Sequence, residues 1–105
     1  MTDVVDTMKT LARSFDDVEE GTSCSQTAFK TKGKAFFYIG DQGGRHKAMF
    51  KLEGSRAEAA RLSEAEPKNF ELGSGAWVTA RFSPEEPLPA KLWEKWLVES
   101  YELSV

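Results

Sequence analysis

At 105 residues, with 40% hydrophobic and 30% charged side chains, the chain has room for one hydrophobic core and the composition of a folded domain. No apolar run approaches the ~20 residues needed to cross a bilayer, and the segment MTDVVDTMKTLARSFDD lacks the basic start and apolar stretch of a secretory signal, so no membrane partner is expected. The net charge of −3 is unevenly spread: residues 27–56 carry seven bases against two acids, and the acidic excess lies on either side.

Val4, Met8, Leu11 and Phe15 recur at helical spacing, which predicts a helix over residues 3–15 with Thr2 as its N-cap. An acidic turn, Asp16–Glu20, follows, and the period then changes to two. Thr27–Thr31 and Lys34–Ile39 read as strands around a tight turn at Lys32-Gly33, where glycine supplies a positive φ. The second strand has two apolar faces, Ala35, Phe37 and Ile39 against Phe36 and Tyr38, which predicts a central strand covered on both sides. Asp41-Gln42-Gly43-Gly44 reads as the next hairpin loop. The strand Arg45–Leu52 after it puts Ala48, Phe50 and Leu52 on one face and Lys47, Met49 and Lys51 on the other.

Ser55-Arg56-Ala57-Glu58 has the form of a capping box opening a helix that runs to Ala65, and Pro67 stops it. Residues 66–75 read as a loop and Trp77–Phe82 as a strand. Beyond a Pro-rich stretch, Leu92, Trp93, Trp96, Leu97, Ser100 and Tyr101 form the stripe of a last helix. The order predicts one α+β domain over residues 1–105. Its mainly antiparallel sheet of about four strands packs with an N-terminal helix, a short middle helix and a C-terminal helix.

Several segments, in this order and spacing, resemble the MmcQ/YjbR family over residues 4–103. They are Glu20-Gly21-Thr22 leading into Ala28-Phe29-Lys30, then Gly33-Lys34-Ala35-Phe36, Lys51-Leu52, Pro67 with Phe70, Trp77-Val78 and Ser100-Tyr101-Glu102-Leu103. The resemblance implies a compact fold likened to the double-wing arrangement of some DNA-binding transcription factors, and so implies DNA contact by analogy of fold. It departs at Cys24-Ser25, where many relatives carry Trp-Gly.

The residues offer little for catalysis. His46 is the sole histidine and Cys24 the sole cysteine, so a nucleophile–base pair requires the fold to bring these two together. A strand-edge histidine and a small structural thiol are expected instead. One cysteine also precludes an internal disulfide, in keeping with a reducing cytoplasm. Zinc needs three or four such ligands and calcium a spaced carboxylate loop, and neither is present. Gly40–Gly44 lacks the lysine and following helix of a phosphate-binding loop. Asp16, Asp17, Glu19 and Glu20 read as a solvated charge run. No cofactor, no metal and no enzymatic activity are expected.

The basic segment carries the functional expectation. Lys30, Lys32 and Lys34 crowd a hairpin tip, Lys47 and Lys51 share a strand face with Met49, and Arg45 opens that strand. Together they predict weak, largely non-specific DNA contact through phosphates. Only Arg45 and Arg56 stand there to read bases, so sequence-specific recognition is not expected. Lysines of this kind also guard exposed strands against edge pairing. Lys32–Ile39 resembles part of the RRM signature but has Lys34 in place of its first aromatic, so Phe36, Phe37 and Tyr38 are expected in the core. The alternative is a monomeric protein-interaction or small-ligand module with an apolar cleft beside Trp77, Trp93 and Tyr101.

Overall fold

The computed structural model describes residues 4–23 and 26–105. Among them the chain runs α1 (Val4–Ser14), β1 (Val18–Ser23), β2 (Gln26–Thr31), β3 (Lys34–Gln42), β4 (Arg45–Lys51), α2 (Arg56–Ala65), β5 (Phe70–Leu72), β6 (Trp77–Phe82) and α3 (Ala90–Glu102). The strands form one antiparallel sheet of order β1-β2-β3-β4-β6-β5. The α+β class and the three helices agree with the sequence. Two strands go beyond it.

α1 buries Met8 and Ala12 completely, while Val4, Leu11 and Phe15 pack against the core from its margin. The Thr2 cap and Asp3 lie outside the described residues. The acidic turn is shorter than expected, because Val18 already starts β1. With one apolar residue in Val-Glu-Glu-Gly-Thr-Ser, this strand has no period to read, and its ladder with β2 is what defines it. Glu20 faces α1 and accepts two hydrogen bonds from the Arg13 guanidinium, at 2.7 and 2.9 Å.

The Lys32-Gly33 turn holds both residues at positive φ, 52° and 79°, the geometry of a two-residue hairpin. Asp41 and Gln42 belong to β3, opposite His46 and Arg45, so only Gly43-Gly44 is turn.

The covering of β3 differs from expectation. The ladder pairs Phe29 with Phe37 and Lys30 with Ala35, which leaves Phe36 as an extra residue, a bulge. Phe36 and Phe37 are therefore both fully buried on the helical side, and Tyr38 points to the opposite face. β3 is central, yet helices cover one side of it only. α1 reaches the sheet through Phe15 against Phe36, α3 through Trp96 against Phe50 and Phe70, and α2 joins them through Glu58, which accepts from Trp96 Nε1 at 3.1 Å. The other face has no helix among the described residues.

The expected stripe of α3 is realised: Trp96, Leu97 and Ser100 are fully buried and Trp93 nearly so. The capping box is not. Ser55 makes no side-chain cap, and Glu58 turns to Lys95 and Trp96. The α2 entrance is instead held by Glu99, whose carboxylate accepts from Glu53 N (2.7 Å), Ser55 N (3.2 Å) and Ser55 Oγ (2.7 Å). The next residue, Ser100, donates its hydroxyl to Phe36 O and accepts from Lys51 N, joining β3 to β4 where their ladder ends. Tyr101 donates to Asp16 O at 2.8 Å. Three consecutive residues of one helix thus grip three separate parts of the fold. Within the segment expected to be loop, Phe70–Leu72 forms a short edge strand, with Phe70 buried against Trp96.

Candidate functional site

Strand alternation decides where the basic side chains go. In β4, Ala48 and Phe50 enter the core, so Arg45, Lys47, Met49 and Lys51 turn to the helix-free face. In β2, Phe29 and Thr31 enter the core and Lys30 faces out. Lys32 forms the hairpin tip. Lys34 stands opposite Thr31, on the helical side of the ladder, and its charge is felt by Lys51. Lys30, Lys47 and Lys51 therefore share one face, with Lys32 and Lys34 at its hairpin end.

Arg45 is committed to the fold. Its guanidinium donates to Arg81 O at 3.3 Å and to Lys68 O at 3.5 Å, and lies 3.9 Å from Glu86. The five lysines differ from it. Among the described residues none of Lys30, Lys32, Lys34, Lys47 and Lys51 forms an ion pair. Lys51 is the most constrained, with Nζ 3.3 Å from Ser104 Oγ and 5.5 Å from the centroid of the Trp77 ring. Burial, aided by the nearby Lys34 charge, holds its pKa below the ordinary lysine value.

The face has members that the sequence reading missed. Arg81 crosses it, donating to Gln42 Oε1 at 3.2 Å and pairing with Glu71 at 3.0 Å. The alternation of Val78, Ala80 and Phe82 already puts Arg81 on the outer side, a signal hidden because β6 was read without its neighbour β4. Tyr38, expected in the core, lies here with Trp77, their ring centroids 5.3 Å apart and their planes at 50°. The ladder lines up Ala28, Tyr38, Met49, Thr79 and Glu71 across the sheet. The acids on this face are Glu19, opposite Lys30, and Glu71, which Arg81 neutralises.

The alternative cleft does not form, because its three residues fall on different sides of the sheet. Trp77 is on the helix-free face. Trp93, 3% exposed, backs a groove of about 470 Å³ between α1 and α3, lined also by Leu11 and Val98. Tyr101 is stacked on Phe15 with centroids 4.4 Å apart. His46 lies half-buried against Phe82, its Nδ1 2.7 Å from Asp41 Oδ1. Cys24, the other half of the pair weighed for catalysis, lies outside the described residues. Among the described residues no three metal-ligating side chains converge, and no helix is long and apolar enough to cross a membrane.

No curated protein matches the chain. Among solved structures, the chain is similar to the Deinococcus radiodurans protein DR2400, of domain family DUF419. The TM-score is 0.74 at 20% identity, covering 94% of this chain and 76% of that one. It is also similar to a protein from Pseudomonas syringae, with a TM-score of 0.61 at 13% identity, covering 99% of this chain and 100% of the other. At such identities the likeness is one of fold. The family model described as YjbR matches residues 13–103, and the chain belongs to the YjbR family.

Proposed function

We propose that this protein is a non-enzymatic, monomeric cytoplasmic protein that binds DNA weakly through its phosphates. The surface responsible is the helix-free sheet face together with the Lys32-Gly33 hairpin. The observation that carries this reading is the set of five lysines without an ion pair among the described residues, three of them on one open face. Lys30, Lys47 and Lys51 contact phosphates from the strands, and Lys32 and Lys34 from the hairpin end. Arg45 braces the far end of β4 and makes no phosphate contact of its own.

Contact of this kind is electrostatic and releases counterions. If five phosphates are neutralised, affinity falls with a log–log salt slope of about −4.5, a loss of several hundred-fold between about 50 and about 200 mM salt. Fluorescence anisotropy of a labelled duplex, titrated at several salt concentrations, tests this. Changing Lys30 and Lys47 together to Glu weakens binding at low salt and flattens the slope by about two or more. A wild-type protein that leaves the duplex free even at low salt rules the reading out.

A further inference from the structure

Tyr38 and Trp77 are two aromatic side chains on a sheet face that no helix covers among the described residues. Neither the Tyr38 hydroxyl nor the Trp77 indole N–H has a hydrogen-bond partner among the described residues. They are half-buried, which leaves ring surface open to solvent. With planes at 50° they cannot lie flat on the same base, and they offer two adjoining platforms to successive bases. Lysines border them: Lys51 beside Trp77, Lys47 two residues along β4 from Met49, the partner of Tyr38, and Lys30 on β2 two residues beyond Ala28.

We propose that this face binds single-stranded DNA, with unpaired bases stacking on Tyr38 and Trp77 while Lys30, Lys47 and Lys51 hold the phosphates. This inference rests on the phosphate-binding reading above and adds the aromatic platform to it. A duplex hides its base faces in the stack and offers this surface phosphates alone, whereas a single strand offers both partners. Charge complementarity favours the same occupant. The face bears Lys30, Lys47, Lys51 and Arg81 against Glu19 and Glu71, and Glu71 is already paired with Arg81. Lys51 is desolvated, lies near Lys34 and has no carboxylate partner among the described residues, so an arriving phosphate would supply an anion there. Stacking is indifferent to base identity, so little sequence preference is expected.

The test compares three labelled probes of about 12 nucleotides, within the site sizes of single-strand-binding OB-folds: oligothymidine, the same backbone with abasic sites, and a duplex. Oligothymidine should bind at least about tenfold tighter than either of the other two. Tyr38→Leu with Trp77→Leu should bring oligothymidine down to the abasic level without changing the salt slope. Trp77→Phe, which keeps a ring, should retain most of the preference and guards against a misfolded double variant. Equal binding of all three probes overturns the stacking platform and leaves phosphate contact standing. No binding of any probe overturns both readings, and tighter binding of oligouridine than oligothymidine overturns the choice of DNA.

Discussion

Glu99 and Lys51 carry opposite electrostatic histories. Burial alone would raise the Glu99 pKa, but hydrogen bonds from the Ser55 hydroxyl and the backbone of Glu53, Ser55 and Gly54 outweigh it and hold the carboxyl below its ordinary 4.5. Its stabilisation is whole above that value and is lost as pH falls through the lowered folded pKa, because the unfolded chain takes the proton first. Glu99→Gln should cost about 1–3 kcal/mol at neutral pH in urea unfolding and should flatten the acid limb of the stability profile. Lys51 runs the other way. Burial and the Lys34 charge disfavour its ammonium, so between the lowered folded pKa and 10.5 the unfolded chain holds the extra proton and stability climbs with pH. Lys51→Met should therefore leave thermal stability at pH 7 unchanged or higher while weakening DNA binding. A lower melting temperature would show that the Ser104 contact outweighs the desolvation. Neither role was legible in the sequence. Ser55 and Glu58 have the spacing of a local cap, and the partner that holds Ser55 stands 44 residues away.

At the scale of elements, apolar periodicity found α1, α3 and the strands that bury alternate residues, whereas α2 was legible only through a capping-box pattern that the fold does not use. It missed β1, where one valine is the whole apolar signal, and β5, whose three residues are fewer than two periods. It also expected Tyr38 in the core, because alternation paired it with Phe36 on a second apolar face and took that face as covered. The extra residue at Phe36 turns that ring inward beside Phe37 and leaves Tyr38, opposite Phe37 as alternation has it, without the apolar neighbour expected on its face. Half the candidate platform was thus hidden behind a single irregularity, while the shared face of Lys47, Met49 and Lys51 follows from period alone and Lys30, expected at the hairpin tip, joins it through the β2 ladder. The end of the β3–β4 ladder has its own device. The Ser100 hydroxyl stands between Phe36 O, a buried carbonyl, and the part-buried Lys51 N, bridging the two strands beyond their last ladder pair. Ser100→Ala should cost about 1–3 kcal/mol. By hydrogen exchange, the Lys51 amide should lose protection more than amides at the centre of β4, and uniform loss along the strand would argue against a local role.

Among the described residues the molecule is a one-sided sandwich: helices on one face, a bare six-stranded sheet on the other. Such an open face is a place for contact that costs the core nothing, since the packed side supplies the burial. The fold class and its family were legible from residue order. The function was not, because a lysine on a strand looks the same whether it guards an edge or meets a phosphate. The helix that completes the packed side also sets a rule for how chain length can vary. Glu99, Ser100 and Tyr101 meet their partners on three sides of α3, so the helix must arrive in the right phase. One residue inserted between Trp93 and Glu99 would rotate all three by about 100° and release them together. The same insertion at Pro84-Glu85, the exposed tip of a turn closed by Ser83 and Glu86, would be absorbed without rotating the helix. Circular dichroism melts of the two insertion variants should separate widely, and family members that differ in length should do so in that turn, or in α3 only by whole helical turns.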